Sequence, residues 1–245
     1  MTKLVSIIIP ARNEQHSLVR TISGIQNEFD RNKINYEILI INDGSTDKTG
    51  EIVEQLNKND SRVMLLENRP PHGIGNAIKT GLKNFAGDYV IIAMADASDD
   101  PKDMITYIDR MNEGYDCCFG SRFMEKNSIR NYPKFKLILN RIVNGCISIL
   151  FQIKYNDTTN AFKCYSKEAI HGIKPILSHH FNITVELPLK AIVRGYSYAI
   201  VSTKWYGRQE GVTKLKLKEM GSRYLFMILY VFLEKLLCGK DYLKK

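Results

Sequence analysis

A chain of 245 residues, 44% hydrophobic and 25% charged, has the composition of an ordinary soluble protein and can bury a sizeable core as one large α/β domain or two small ones. Its net charge of +9 is uneven: from residue 204 to 245 ten Lys and Arg stand against four Asp and Glu, a basic end that points to an anionic partner such as a membrane surface, a phosphate or a nucleic acid. An odd count of five cysteines, including the adjacent pair Cys117 and Cys118 and showing no metal-ligand spacing, argues against a disulfide framework and for a reducing compartment. The amino terminus lacks a signal region, so a cytoplasmic location is expected.

Strand and helix patterns alternate along the chain. Residues 5–10 are a short β-branched run ending at Pro10; Ala11, Arg12, Asn13 and Glu14 form a loop, and Leu18, Ile22, Ile25 and Phe29 mark the apolar face of a helix. Residues 36–42 predict a second strand, and the polar turn from Asp43 to Asp47 can cap a helix carrying Ile52, Val53 and Leu56. A third strand covers residues 63–66, and the loop from Asn68 to Asn76 leads into a helix bearing Ala77, Ile78, Leu82 and Phe85. The fourth strand runs from Tyr89 to Asp96, between Gly87 and Pro101. This alternation implies a mostly parallel sheet with right-handed crossovers. A dinucleotide fold would carry Gly-x-Gly-x-x-Gly after the first strand; the residues there are Pro10 to Glu14, which argues against a Rossmann cofactor site. Gly73 and Gly75 lack the third glycine, but their bare amides near a helix start offer a close approach for a donor phosphate.

Downstream, residues 116–123 read as a strand delivering Gly120, Ser121, Arg122 and Phe123. Residues 134–151 form a helix with a broad apolar stripe that includes Ile138, Leu139, Ile142, Ile147 and Leu150, fit for a deeply packed or a membrane-facing helix and assigned to core packing. Residues 157–162 are a polar turn, 181–194 a helix containing Glu186, and 198–206 a further strand. In the tail, residues 224–233 are ten consecutive apolar residues, short of the roughly 20 of a spanning helix, flanked by Arg223, Lys235, Lys240, Lys244 and Lys245. The pattern predicts a main domain over residues 1–220 and an amphipathic basic segment over 221–245. That segment suits a helix in the membrane interface or on a membrane-protein partner; the plainer alternative is a terminal helix docked on the core.

The fourth strand releases Asp96, Asp99 and Asp100 at its carboxyl end, where open α/β sheets bind ligands. Asp100 before Pro101 has the form of a helix N-cap, which leaves Asp96, at the strand tip, as the functional candidate. With Asp43 at the end of the second strand, these acids suit a nucleotide diphosphate and a divalent cation. One carboxylate can bind base or ribose hydroxyls, and another can hold the cation that stabilises the departing diphosphate.

Three segments, residues 5–14 (VSIIIPARNE), 41–49 (INDGSTDKT) and 94–101 (MADASDDP), together resemble family 2 glycosyltransferases of GT-A fold. Residues 120–123, 157–163 and 206–215 are similar to later motifs of the dolichyl-phosphate mannose synthase branch, so the likeness covers nearly the whole chain. It implies an α/β GT-A domain with a C-terminal amphipathic helix, and an inverting transferase with Mg2+ or Mn2+ as cofactor. Pro10, Ala11, Glu14 and Asp43 would hold the nucleotide, and Asp96 the metal and pyrophosphate, with Ser98 and Asp99 as further metal positions. Arg122, Lys136 and Asn140 match positions that cradle an acceptor phosphate, and Arg208 one that closes over the donor. Two departures stand out: Met94 and Ser98 occupy places where the family carries metal ligands, and Lys136 replaces an Arg, keeping charge without the bidentate fork.

Acceptor chemistry separates the readings. A sugar hydroxyl needs a general base, whereas a phosphate monoester, with its second pKa near about 6, is already a nucleophilic anion and needs cations. The later half supplies Arg122, Lys136, Arg208 and Lys214 and a greasy basic tail, while Asp157 and Glu186, the carboxylates that might serve as a base, read as a turn former and a helix-surface charge. The expected activity is transfer of a hexose, mannose from GDP-mannose, to a polyprenyl phosphate at the cytoplasmic membrane face. The alternatives are a family 2 transferase using a UDP-sugar and a sugar-hydroxyl acceptor, and a non-catalytic nucleotide- or membrane-binding scaffold. Nucleic acid is not expected as a partner, since no recognition module accompanies the basic residues.

Overall fold

The computed structural model describes residues 3–125, 128–130, 132–206, 217–238 and 240–244. Its elements run β1 (Leu4–Ala11), α1 (Leu18–Arg31), β2 (Asn35–Asn42), α2 (Thr49–Asn59), β3 (Val63–Glu67), α3 (Ile74–Asn84), β4 (Tyr89–Ile92), α4 (Pro101–Asn112), β5 (Cys117–Ser121), β6 (Ile129–Arg130), α5 (Lys134–Phe151), β7 (Lys163–Ser166), α6 (Lys167–Gly172), α7 (Ile183–Val193), β8 (Tyr198–Ser202), β9 (Trp205–Tyr206) and α8 (Leu217–Leu237). The main sheet has the order β3-β2-β1-β4-β7-β5-β8. Strands β1 to β4 are mutually parallel, β7 is antiparallel to both its neighbours β4 and β5, and β8 is parallel to β5. Hence β4 and β5 point the same way, and the carboxyl ends of β1, β2, β4 and β5 share one edge. The chain builds outward from β1 to β3 and then returns to the other side of β1 with β4, which opens a crevice beyond their carboxyl ends.

Alternate residues of the inner strands feed two cores. Ile7, Ile9, Ile38, Ile40 and Ile91 pack on α1 and α4, while Ile8, Leu39, Ile41, Val90 and Ile92 pack on α3 and α7. Burial on both faces explains why these strands read as unbroken apolar runs, and each fully buried Ile or Leu contributes about 1.5–3 kcal/mol.

Three expectations change. β4 ends at Ile92, so Asp96 sits in the following turn rather than on the strand tip. Ala93 N–H still donates to Ile8 O, and Ala97 takes φ +55° as the chain turns. The short buried run Lys163–Ser166 forms an antiparallel strand that its four residues are too few to announce. The strand expected over 198–206 divides at Thr203 and Lys204, and β9 pairs with β6 in a separate ribbon.

A third core joins Ile147 and Phe151 of α5, Val185 and Leu189 of α7, and Met227 and Val231 of α8. Polar contacts lock α8 there. Arg194 donates through Nε and Nη2 to Glu234 at 2.7 and 3.0 Å, and through Nη1 to the Gly172 and Lys174 carbonyls. Lys235 Nζ reaches Phe151 O and Lys244 Nζ reaches Asp116, so two of the tail's cations brace the fold. The opposite face of α8 exposes Leu225, Phe226, Leu229, Leu233, Leu236 and Leu237. The stripe of α5 assigned to the core is likewise divided: Ile138, Leu139 and Ile142 are exposed, as is Phe135 before them, because the helices packed against α5 reach only its carboxyl-terminal half. No helix among the described residues is long and apolar enough to cross a membrane.

Candidate active site

The first group of candidate residues is built on the ends of β1 and β2. Asp43 N–H donates to Ala11 O at 2.8 Å, which sets the Asp43 carboxylate beside Pro10 and Ala11. The turn after β2 then clamps the loop after β1: Asn13 N–H donates to Ser45 Oγ, Glu14 N–H to Thr49 Oγ1, and Thr46 N–H to Asn13 Oδ1. Burial works against ionisation of Asp47, but hydrogen bonds from Thr49 and Gln15 outweigh it and lower its pKa. Asp43 itself accepts from Asn68 Nδ2 at 2.7 Å and from Gly73 N–H at 3.0 Å. This corrects the expectation that the Gly73 and Gly75 amides face a phosphate. Gly73 N–H is taken by Asp43, and Gly75 N–H donates to His179 O. A side chain at Gly75 would also lie 2.5 Å from the His179 backbone, so the glycine serves a close backbone approach.

Beyond β4, Asp96 Oδ1 accepts from Ser98 N–H, Asp99 Oδ2 accepts from Met94 N–H at 3.0 Å, and Asp100 caps α4 through Lys102 N–H as its sequence context predicts. Ser98 is buried. Desolvation pushes the Asp99 carboxyl up to about 7; Asp96 and Asp103 raise it further, and the Met94 amide and Arg122 oppose the rise. Among the described residues no group of three or more His, Cys, Asp or Glu is placed to hold a metal ion. Two carboxylates beside a diphosphate still suit Mg2+ or Mn2+, because such a cation takes one or two protein carboxylates and completes its shell with phosphate oxygens and water.

Further along the same edge as Asp43 and Asp96, Arg122 follows the end of β5, close enough to Asp99 to bias its ionisation. Its Nε and backbone N–H donate to Asp157 Oδ2 at 2.8 and 2.9 Å, and Nη2 donates to Oδ1 at 2.7 Å. Burial disfavours the guanidinium charge, but Asp157 outweighs it and raises the Arg122 pKa. Asp157 is therefore no mere turn former. Lys163, fully buried, donates to the carbonyls of Asn160, Thr158 and Thr184. The last is the carbonyl that Pro188, lacking an N–H, leaves open inside α7. Burial pulls Lys163 down to about 7, with Asp157 acting in the opposite direction.

Lys136 and Asn140 lie one turn apart on α5. Asn140 donates to Tyr132 Oη and accepts from Thr159 Oγ1, and the Arg122 guanidinium stands 6.0 Å from the Tyr132 ring centroid, so Tyr132 joins the two positions. Glu186, expected on a helix surface, is fully buried: it pairs with Lys190 at 2.7 Å and accepts from the Leu177 and Ser178 amides. Arg208 and Lys214 lie outside the described residues. Asn68, Tyr132, Asp157 and Lys163 escape sequence reasoning as site-building groups, because each acts through a partner on another segment.

The model of glycosyl transferase family 2 matches residues 6–173. The chain belongs to that family. This family 2 glycosyltransferase is 27% identical over 220 residues to a polyprenol monophosphomannose synthase of Mycolicibacterium smegmatis, covering 87% of this chain and 82% of that protein. It is 28% identical over 217 residues to a dolichol-phosphate mannosyltransferase of Pyrococcus furiosus, covering 86% of this chain and 59% of the relative. Its GT-A fold matches the crystal structure of a glucosyl-3-phosphoglycerate synthase from Mycobacterium tuberculosis in complex with Mn2+, UDP and glucosyl-3-phosphoglycerate. The TM-score is 0.68 at 16% identity, over 95% of this chain and 80% of that one.

Proposed function

We propose that this glycosyltransferase moves mannose from GDP-mannose to a polyprenyl monophosphate at the cytoplasmic membrane face. The relatives named for polyprenol- and dolichol-phosphate mannose synthesis support the lipid acceptor. The observation that carries the reading is the state of the charged groups. Both oxygens of Asp157 are held by Arg122, and Glu186 is held by Lys190 and two amides, so neither is placed to deprotonate a hydroxyl. The Nε edge of Arg122 is occupied, whereas Nη1 has no hydrogen-bond partner among the described residues and suits an acceptor phosphate; Asn140 is linked to Arg122 through Tyr132, and Lys136 lies one turn before Asn140 on α5.

Pro10, Ala11, Glu14 and Asp43 position the nucleotide, and Arg208, which lies outside the described residues, is assigned to the donor on the family resemblance alone. Asp96, with Ser98 and Asp99 next to it, would hold a divalent cation. When bound, that cation supplies Lewis-acid stabilisation of the diphosphate's charge. A phosphate oxygen held by Arg122 attacks the anomeric carbon with its lone pair. The bond from that carbon to the diphosphate oxygen breaks with its electron pair on GDP, configuration inverts, and no proton has to be removed. The outward faces of α5 and α8 lie on the membrane, or on a membrane-protein partner, and bring the lipid headgroup to Arg122.

One observation favours the competing reading, a UDP-sugar donor with a sugar-hydroxyl acceptor: Asp99, at about 7, has the affinity for protons that a base needs. Its Oδ2, however, is bound by Met94 N–H, and a cation on Asp96 would draw its pKa down. Radiolabelled GDP-mannose offered with Mg2+ or Mn2+ is expected to move label into the organic phase with polyprenyl phosphate. Label entering only glycan acceptors would overturn the lipid reading, and no turnover of any donor would leave a non-catalytic scaffold.

A further inference from the structure

The loop between β3 and α3 covers Asp43 with a histidine. The His72 ring lies on Gly44, where an added side chain would come within 2.7 Å of Cε1 and Nε2. Gly44 has φ +70°, so a residue without a side chain meets both the backbone and the packing demand. His72 Nδ1 is buried 3.3 Å from Asp43 Oδ1, while the side chain as a whole remains 33% exposed. Asp43 Oδ1 already accepts from Asn68 Nδ2 and Gly73 N–H, and Oδ2 accepts only from Gly73 N–H among the described residues. With the ring proton on Nδ1, the nitrogen nearer the carboxylate, Nε2 carries a lone pair.

We infer that His72 is a base-selecting residue, with Nε2 and Asp43 Oδ2 forming a pair of acceptors that matches the two neighbouring donors, N1–H and the N2 amine, of a guanine edge. Uracil has one N–H between two carbonyl oxygens, so it would satisfy Asp43 while setting a carbonyl against the Nε2 lone pair. A site that presents two acceptors disfavours a ligand that leaves one of them facing another acceptor. The inference rests on Asp43 being the base-binding carboxylate of the proposed donor site.

Calorimetric titration of the full chain with GDP and with UDP, in Mn2+, tests it in wild type, His72→Phe and His72→Ala. Phe keeps a flat ring on Gly44 without the nitrogen, and Ala serves should the larger ring disturb folding. Wild type is expected to bind GDP more tightly than UDP. Both variants are expected to lose about five- to tenfold in GDP affinity, the worth of one hydrogen bond, with UDP changing less than about twofold. Equal weakening for both nucleotides, unchanged GDP affinity, or a wild-type preference for UDP overturns the role of His72 while leaving the donor site in place. A wild type that binds neither nucleotide overturns the donor site and His72 together.

Discussion

Arg122 illustrates how a buried charge is set up for use. Asp157 takes the Nε side of the guanidinium and offsets its burial cost, and in the proposed function the other side meets the acceptor phosphate. Replacing Arg122 by Lys keeps a cation but loses the fork, and acceptor kcat/KM is expected to fall about ten- to hundredfold while GDP affinity stays within about twofold, measured by radiolabel transfer and calorimetry. Equal loss of both would contradict an acceptor-side role. Asp157→Ala strands Arg122 in the interior, so urea unfolding is expected to show a stability loss of about 3–5 kcal/mol. Asp43, directly after β2, and Asp96, in the turn beyond β4, were legible from local pattern alone. That Asp157 belongs to Arg122 was not, since 35 residues separate them and a polar turn offers no cue to a partner on another segment.

Among elements, α8 is held by an apolar seam, by the buried pair of Glu234 with Arg194, and by the bond from Lys235 to Phe151 O. Glu234→Ala leaves Arg194 with two carbonyls but no counter-charge, and is expected to destabilise the protein by about 3–5 kcal/mol and to raise amide exchange along α8. A wild-type exchange pattern on α8 would show that the remaining contacts suffice. At the other end of the sheet, Arg62 holds Asp60, the residue that closes α2, and also reaches Asp30 of α1. The hydrogen bond from Arg62 lowers Asp60 to about 2. A depressed carboxyl stabilises the fold above its unfolded pKa of about 4 and loses that contribution as pH falls through the folded value. Acid titration between about pH 4 and 2 should therefore destabilise wild type more steeply than Asp60→Asn, and parallel curves would remove this pair from the acid response. Helix positions were read well from apolar spacing, yet which half of the α5 stripe is covered depends on α7 and α8, elements that follow it in the chain.

At the scale of the whole molecule, the outward faces of α5 and α8 carry exposed Phe135, Ile138, Phe226 and Leu229 on a protein with net charge +9. Double substitution of Phe226 and Leu229 by Glu is expected to abolish sedimentation with phosphatidylglycerol vesicles while leaving the thermal midpoint unchanged, because both side chains are 61% and 48% exposed. Retained vesicle binding would place the membrane contact elsewhere. The sequence by itself determined the alternation of strands and helices, the mostly parallel sheet, and the acids that gather beyond the strand ends. These are consequences of local periodicity, which encodes an element and its buried face within a few residues. Only the tertiary structure decided which charges are already paired and which faces stay uncovered. The pairs Arg122 with Asp157, Arg194 with Glu234 and Lys244 with Asp116 join residues 35, 40 and 128 apart, and a buried charge settles with whatever partner the topology brings to it.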